Sequence, residues 1–174
     1  MKKLFLLTFL AFGFVFAQDC ETGNAIDREL GASCVPETVM RVVTLENAMT
    51  EAVVTLGVEP VGAADVELFN LLVNPETPID VTDVGSRREP NLELIAQLTP
   101  DLIIGASWRM GSNYEELNAI APTLAFLGSE NLELMTDFFI KIAISLDKEA
   151  EAERHLITME QAFAEATEVL AASN

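Results

Sequence analysis

The sequence predicts an α/β fold in which a parallel β-sheet is flanked by helices and the chain ends in a long helix. Short apolar or β-branched segments alternate with segments whose apolar residues recur at helical spacing. One short segment, Leu102 to Gly105, contains no polar residue, which is typical of a strand buried on both faces of a parallel sheet. This alternation favours a Rossmann-like sheet with helices on both faces.

The first elements follow one another in a regular order. The first strand, Arg41 to Leu45, is rich in β-branched residues, and Asn47 is placed to cap the helix that follows. Gly57 can adopt the left-handed conformation that ends a helix, so a turn and a second strand are expected within Val58 to Ala63. The segment from Asp65 to Asp80 contains prolines and predicts a loop with at most a short helix.

The next part of the chain predicts three more strands and two more helices. In chain order these are a strand at Val81–Val84, a helix from Pro90 to Leu98, a strand at Leu102–Gly105, a helix from Ser112 to Ile120 and a strand at Thr123–Leu127. Ser112 and Glu115 have the spacing of a capping box at the start of the second helix. Together with the first strand, these elements define a lobe over residues 41–131.

Residues 132–174 predict helix to the end of the sequence, with one break near Asp147. The last part, Lys148 to Ala172, would span about 37 Å at roughly 1.5 Å per residue. Its apolar residues form a narrow stripe among acids and alanines, and a long helix of this kind usually lies against a neighbour.

Residues 1–17 have the pattern of a secretory signal peptide. Lys2 and Lys3 precede the apolar run Leu4 to Phe16, and Ala17 is the small residue expected at a cleavage site. No later segment approaches about 18 uninterrupted apolar residues, so we expect an exported protein that does not span the membrane after signal removal.

The two cysteines of an exported chain are expected to pair. A disulfide between Cys20 and Cys34 would close the N-terminal segment, residues 18–40. Lipid attachment at Cys20 is disfavoured, because the charged Asp19 stands where a small uncharged residue is expected.

The charge of the chain excludes two classes of partner. Removal of residues 1–17 takes away two of the ten basic residues and none of the 28 acidic residues, which leaves a net charge of −20. So acidic a surface repels nucleic acid and anionic membranes.

Three of the remaining basic residues are expected at one edge of the sheet. Arg87 and Arg88 follow the third strand, Arg109 follows the fourth, and Glu46 follows the first. The carboxyl ends of parallel strands share an edge, where ligands of such sheets collect. Because guanidinium groups bind carboxylates through paired hydrogen bonds, this edge predicts a site for an anionic ligand.

Two neighbours of these arginines have alternative roles. Trp108, the single tryptophan, is expected to stack on the ligand or on Arg109, or to be part of the core. Glu46 is expected to contact the ligand or to stabilise a helix N-terminus. Arg88 is expected to contact the ligand or to pair with an acid such as Glu89.

The sequence does not predict an enzyme. It contains no nucleophile, base and orienting residue at a plausible spacing and no phosphate-binding glycine loop. One histidine and two paired cysteines do not make a zinc or haem site, so neither a protein-bound metal nor a covalently bound cofactor is expected.

Four motifs, DVGSR, EPNLE, PDLIIG and IAPTL, occur in this order between Asp83 and Leu124. In this combination the sequence resembles the periplasmic substrate-binding proteins of ABC importers for iron-siderophores and cobalamin, and within them the ferric dicitrate type. The resemblance implies a periplasmic protein that delivers a ferric chelate, either ferric citrate or a siderophore, to permease subunits. A cobalamin ligand stays open.

The resemblance also implies roles for individual residues. Arg87 and Arg109 match basic positions that contact the chelate, and Glu93 matches a glutamate that docks on the permease. It further implies a second lobe joined by a connecting helix within residues 132–174, whereas the sequence stops at Asn174. A fragment, a truncated non-transporting relic and a second lobe on a separate chain are all compatible with this.

Overall fold

The computed structural model describes residues 20, 23–27, 30–73, 76–128 and 131–172. The predicted signal peptide, residues 1–17, lies outside them. The strands are β1 Asn24–Ile26, β2 Ser33–Val35, β3 Val42–Thr44, β4 Gly62–Ala63, β5 Thr82–Asp83, β6 Leu102–Ala106 and β7 Thr123–Phe126. The helices are α1 Asn47–Thr55, α2 Val66–Leu72, α3 Leu92–Gln97, α4 Ser107–Met110, α5 Tyr114–Ile120, α6 Leu132–Ser145 and α7 Glu149–Ala172. None of the helices in these ranges is both long and apolar enough to cross a bilayer.

The central sheet has five strands in the order β5-β4-β3-β6-β7, and every pair is parallel. This confirms the predicted fold class. The chain moves outward from β3 through β4 to β5, then returns to the other side of β3 to form β6 and β7. The order therefore reverses between β3 and β6, and a crevice at the carboxyl ends of these two strands is the usual ligand site of such a sheet.

The sheet separates two apolar cores. On one face, Val42 and Ile104 pack in a cluster with Phe138 and Ile142 of α6 and with residues of α1. On the other face, the alternate strand residues Val43 and Ile103 join a cluster with residues of α3 and α5. Because successive side chains of a strand point to opposite faces, a strand covered on both sides must be apolar throughout, as β6 is.

The N-terminal segment adds an antiparallel hairpin that the sequence patterns did not predict. Strands β1 and β2 pair through only three residues each, too few for a clear alternating pattern. The predicted disulfide between Cys20 and Cys34 is confirmed. Ile26 and Val35 are buried in the core beside α6, so the hairpin packs on the lobe.

Two predicted helix caps are wrong. An N-cap at Asn47 would require α1 to begin at the next residue. The helix begins at Asn47 itself, so its N-cap is Glu46. The N-cap of α5 is Asn113, which has an irregular backbone and makes no side-chain cap hydrogen bond, so the predicted capping box of Ser112 and Glu115 does not form. Gly57, with φ of 77°, follows the end of α1 as predicted.

The helical C-terminal segment agrees with its prediction. Asp147 has φ of 56° and separates α6 from α7, which is 24 residues long. Within α7 only Ala152 is fully buried, and Phe163 and Leu170 are more than half exposed.

Candidate functional site

The candidate site lies at the carboxyl ends of the strands, where three connecting loops meet. Glu46 follows β3, Arg87 follows β5 and Arg109 lies in α4 after β6. Nη1 of Arg87 donates to Oε1 of Glu46 at 2.9 Å, and Nε of Arg109 donates to Oε2 of the same carboxylate. The two arginines therefore meet at one mouth of the sheet, as the sequence predicted, and Glu46 lies between them.

Glu46 is held in this position by the start of α1. Its extended backbone, with φ of −152° and ψ of 139°, makes the turn from β3 into the helix. Its Oε1 accepts a hydrogen bond from the backbone N–H of Asn47 at 3.0 Å. The cap thus needs one oxygen of the carboxylate, while the second accepts a hydrogen bond from Nε of Arg109.

Asp65 is part of the site, and the sequence interpretation missed it. It follows β4 at the same edge, and its Oδ2 accepts hydrogen bonds from Nε of Arg87 at 2.7 Å and from the backbone N–H of Arg87 at 3.2 Å. Its backbone is left-handed, with φ of 53°, and an acid in this conformation leaves no pattern in the sequence beyond its place after a strand.

The turn that carries Arg87 is fixed by a second aspartate. Oδ1 of Asp83 accepts from the N–H of Gly85 at 2.8 Å, and Oδ2 accepts from the N–H of Val66 at 3.1 Å. Gly85 has φ of 95°, a conformation that favours glycine. The aspartate, the glycine and the arginine of the DVGSR motif therefore form one turn that presents Arg87 to the site.

The cluster contains two guanidinium groups and two carboxylates, so its formal charge is zero. All four side chains are largely buried, with exposed fractions of 20% for Arg87, 15% for Arg109, 12% for Glu46 and 26% for Asp65. Burial by itself lowers the pKa of Arg87, but the hydrogen bonds and charges of Asp65 and Glu46 outweigh it and raise the pKa. The positive charge expected at this edge is thus present and is offset by two acids.

The arginines keep hydrogen-bond donors for a ligand. A guanidinium has five N–H donors, and Arg109 uses its Nε while Arg87 uses Nε and Nη1. Within the described ranges, neither Nη of Arg109 nor Nη2 of Arg87 has a hydrogen-bonding acceptor. These nitrogens are suited to bind an anionic group.

Trp108 is part of this edge and is not core. Its side chain is exposed by 61%, and the guanidinium carbon of Arg109 lies 4.0 Å from the ring centroid. This cation–π contact orients the Arg109 group and leaves much of the indole open to solvent.

Three other polar residues near this edge stand apart from the cluster. Arg88 is exposed and makes no ion pair with any described residue, so neither a place in the cluster nor the alternative pairing with Glu89 is found. Glu93 is exposed in the first turn of α3. Oδ1 of Asn47 is buried without a hydrogen-bond donor from the described part of the chain.

The described residues also contain no group of three or more histidine, cysteine or acidic side chains arranged to hold a metal ion.

Comparison with known proteins identifies the family. The model of a family described as "Periplasmic binding protein" matches residues 42–174, which includes the whole sheet and the site. The chain belongs to this family. Membership in the periplasmic binding protein family agrees with the resemblance carried by the four sequence motifs.

Several relatives in the periplasmic binding protein family are named for ferric ligands or were solved with a siderophore. The Fe(3+)-citrate-binding protein YfmC of Bacillus subtilis is 39% identical over 79% of this chain and 44% of its own length. The Fe(3+) dicitrate-binding periplasmic protein FecB of Escherichia coli is 30% identical over 91% of this chain and 55% of its own length. Staphylococcus aureus SirA, solved with staphyloferrin B, superposes with a TM-score of 0.68 at 31% identity, over 81% of this chain and 48% of SirA. The chain thus spans about half the length of these relatives.

Proposed function

We propose that this chain is the ligand-binding lobe of a substrate-binding component of an ABC importer, and that its cargo is an anionic ferric chelate, with ferric citrate as the first choice. The observation that carries the proposal is the meeting of Arg87 and Arg109, from loops far apart in sequence, at the crevice of the sheet. Family membership and the ligands of the ferric citrate relatives support it.

The geometry suits a carboxylate-rich chelate. The free Nη donors of the arginines would bind carboxylate oxygens of the ligand, and such bonds between charged groups are stronger than neutral ones. The exposed face of Trp108 would pack against the ligand beside Arg109. These contacts are binding contacts, and the proposed function involves no chemical change in the chelate.

The remaining roles in the proposal concern transport. Export would place the protein in the periplasm, and permease subunits would be its partners. Glu93 is exposed on α3, so its carboxylate is available to bind a basic surface of a permease. Replacing Glu93 by Gln should then weaken a pull-down of the permease and leave ferric citrate binding unchanged.

The first experiment locates the ligand. Ferric citrate is titrated into the ¹⁵N-labelled chain, with gallium(III) citrate as a diamagnetic control. Paramagnetic iron broadens the amide signals of nearby residues, so we expect losses confined to the loops after β3, β5 and β6 with iron and only shift changes with gallium. Uniform broadening, or broadening at α7, would contradict this location.

The second experiment tests the arginines. The single tryptophan, Trp108, gives a fluorescence signal within the site. Arg87→Ala and Arg109→Ala should each weaken ferric citrate binding by about 30-fold, equivalent to about 2 kcal/mol, which is the lower end for a desolvated charge pair. Arg88→Ala is the matched control and should bind as the unmodified chain does. Equal affinity in all three variants would exclude this site.

A further inference from the structure

Glu46 makes with Arg87 and Arg109 the kind of contact that a ligand carboxylate would make. Each of its oxygens accepts a hydrogen bond from a different guanidinium, Arg87 through Oε1 and Arg109 through Oε2. A chelate carboxylate bound by both arginines would need the same kind of contact. The chain therefore supplies its own carboxylate to the two groups that the proposed function assigns to the ligand.

This arrangement removes the net charge of the cluster. With Glu46 and Asp65 present, the two arginines contribute no excess of positive charge, and the four side chains are only 12% to 26% exposed, so water screens them weakly. A chelate with a large negative charge gains hydrogen bonds here, but repulsion by the two carboxylates offsets part of its attraction to the two guanidinium groups. A chelate of lower negative charge does not meet this repulsion.

The helix cap does not account for Glu46. Capping uses Oε1 only, through the N–H of Asn47. A glutamine would keep an acceptor for that bond, and it would lose the charge. The contact between Oε2 and Arg109 has no part in the cap, so capping alone does not explain why a carboxylate lies here.

We propose that Glu46 is a built-in counter-ion that sets the charge selectivity of the ligand site. It lowers the affinity for strongly anionic chelates relative to chelates of lower or opposite charge. The proposal rests on the proposed function, because it assumes that Arg87 and Arg109 bind the chelate.

The test compares Glu46→Gln with two chelates of opposite charge. Ferric citrate is anionic, whereas Fe³⁺–Desferal carries a net positive charge because its terminal amine is protonated. In Glu46→Gln the affinity for ferric citrate should rise about tenfold or more, since one nearby negative charge is removed. The affinity for Fe³⁺–Desferal should stay the same or fall.

The matched control is Glu51→Gln. Glu51 is exposed on the same helix and forms no ion pair with the described residues, so this variant removes the same charge away from the arginines. It should leave the ratio of the two affinities unchanged. Circular dichroism checks that both variants are folded. Asp65→Asn removes the other acid of the cluster and, like Glu46→Gln, leaves it with a formal charge of +1, so it should shift the ratio in the same direction. Asparagine tolerates the left-handed backbone at this position, so this variant keeps the test available if Glu46→Gln unfolds.

Three results would overturn the proposal. An unchanged ratio in both cluster variants would show that Glu46 and Asp65 do not set selectivity, although the proposed function would stand. An equal shift in Glu51→Gln would assign the effect to overall charge. If neither the variants nor the unmodified chain binds either chelate, the proposed function fails as well.

Discussion

Replacement of Arg87 by alanine should destabilise the fold, whereas the same replacement at Arg88 should not. Arg87 donates two hydrogen bonds to charged acceptors, to Asp65 at 2.7 Å and to Glu46 at 2.9 Å. The two arginines are adjacent and carry the same charge, but Arg88 is exposed and makes no ion pair in the described structure. The comparison therefore isolates the contacts of Arg87 from its charge.

The size of the effect follows from these bonds. A hydrogen bond between charged groups contributes roughly 1.5–3 kcal/mol to stability. Since the Arg87 side chain is 20% exposed, the lower value applies to each bond, and the expected loss is about 3 kcal/mol. For a domain of this size that corresponds to a fall in Tm of roughly 6–12 °C. Arg88→Ala should change the free energy of unfolding by less than about 0.5 kcal/mol.

Urea denaturation followed by circular dichroism measures both variants, with the disulfide kept oxidised. Equal m-values would show that the substitution changes the free energy of unfolding and not the amount of surface exposed on unfolding. Arg87→Lys should recover only part of the loss, because an ammonium cannot reproduce the planar pair of bonds to two separate acids. If Arg87→Ala were as stable as Arg88→Ala, the ion pairs of Arg87 with Asp65 and Glu46 would contribute nothing to the stability of the fold.

Three further predictions concern the scaffold. Gly62→Ala should lower the free energy of unfolding by about 1–3 kcal/mol in urea denaturation, because a Cβ there would lie 2.6 Å from Cδ1 of Leu98 and 2.9 Å from Cγ1 of Val84. Asn91→Ala should cost about 1 kcal/mol in the same assay, since the Asn91 side chain accepts from the N–H of Leu94 at 3.0 Å and caps α3; equal stability would refute the cap. Reduction of the disulfide, which closes a loop with a sequence separation of 14, should lower stability by about 3 kcal/mol, measured as the difference in unfolding with and without a reductant.

The sequence predicted the fold class because the patterns that mark strands and helices involve only residues close together in the chain. A strand covered on both faces must be apolar at every position, and β6 shows this directly. Gly57 and the break at Asp147 mark helix ends through backbone conformation. Short elements were harder to predict: α4 has four residues and each strand of the hairpin has three, so neither is long enough to repeat its pattern through two full periods.

The sequence also predicted which arginines share an edge, because the carboxyl ends of parallel strands always meet there. What only the tertiary structure decided is how their charge is compensated. Glu46 and Arg109 are 63 residues apart, and Arg87 and Asp65 are 22 apart, so no local pattern pairs them. The sequence placed Glu46 at this edge, but among its 28 acidic residues it did not distinguish Glu46 and Asp65 as the two that bind the arginines. Folding does so, because the strand order places the ends of β3, β4, β5 and β6 side by side at one edge of the sheet.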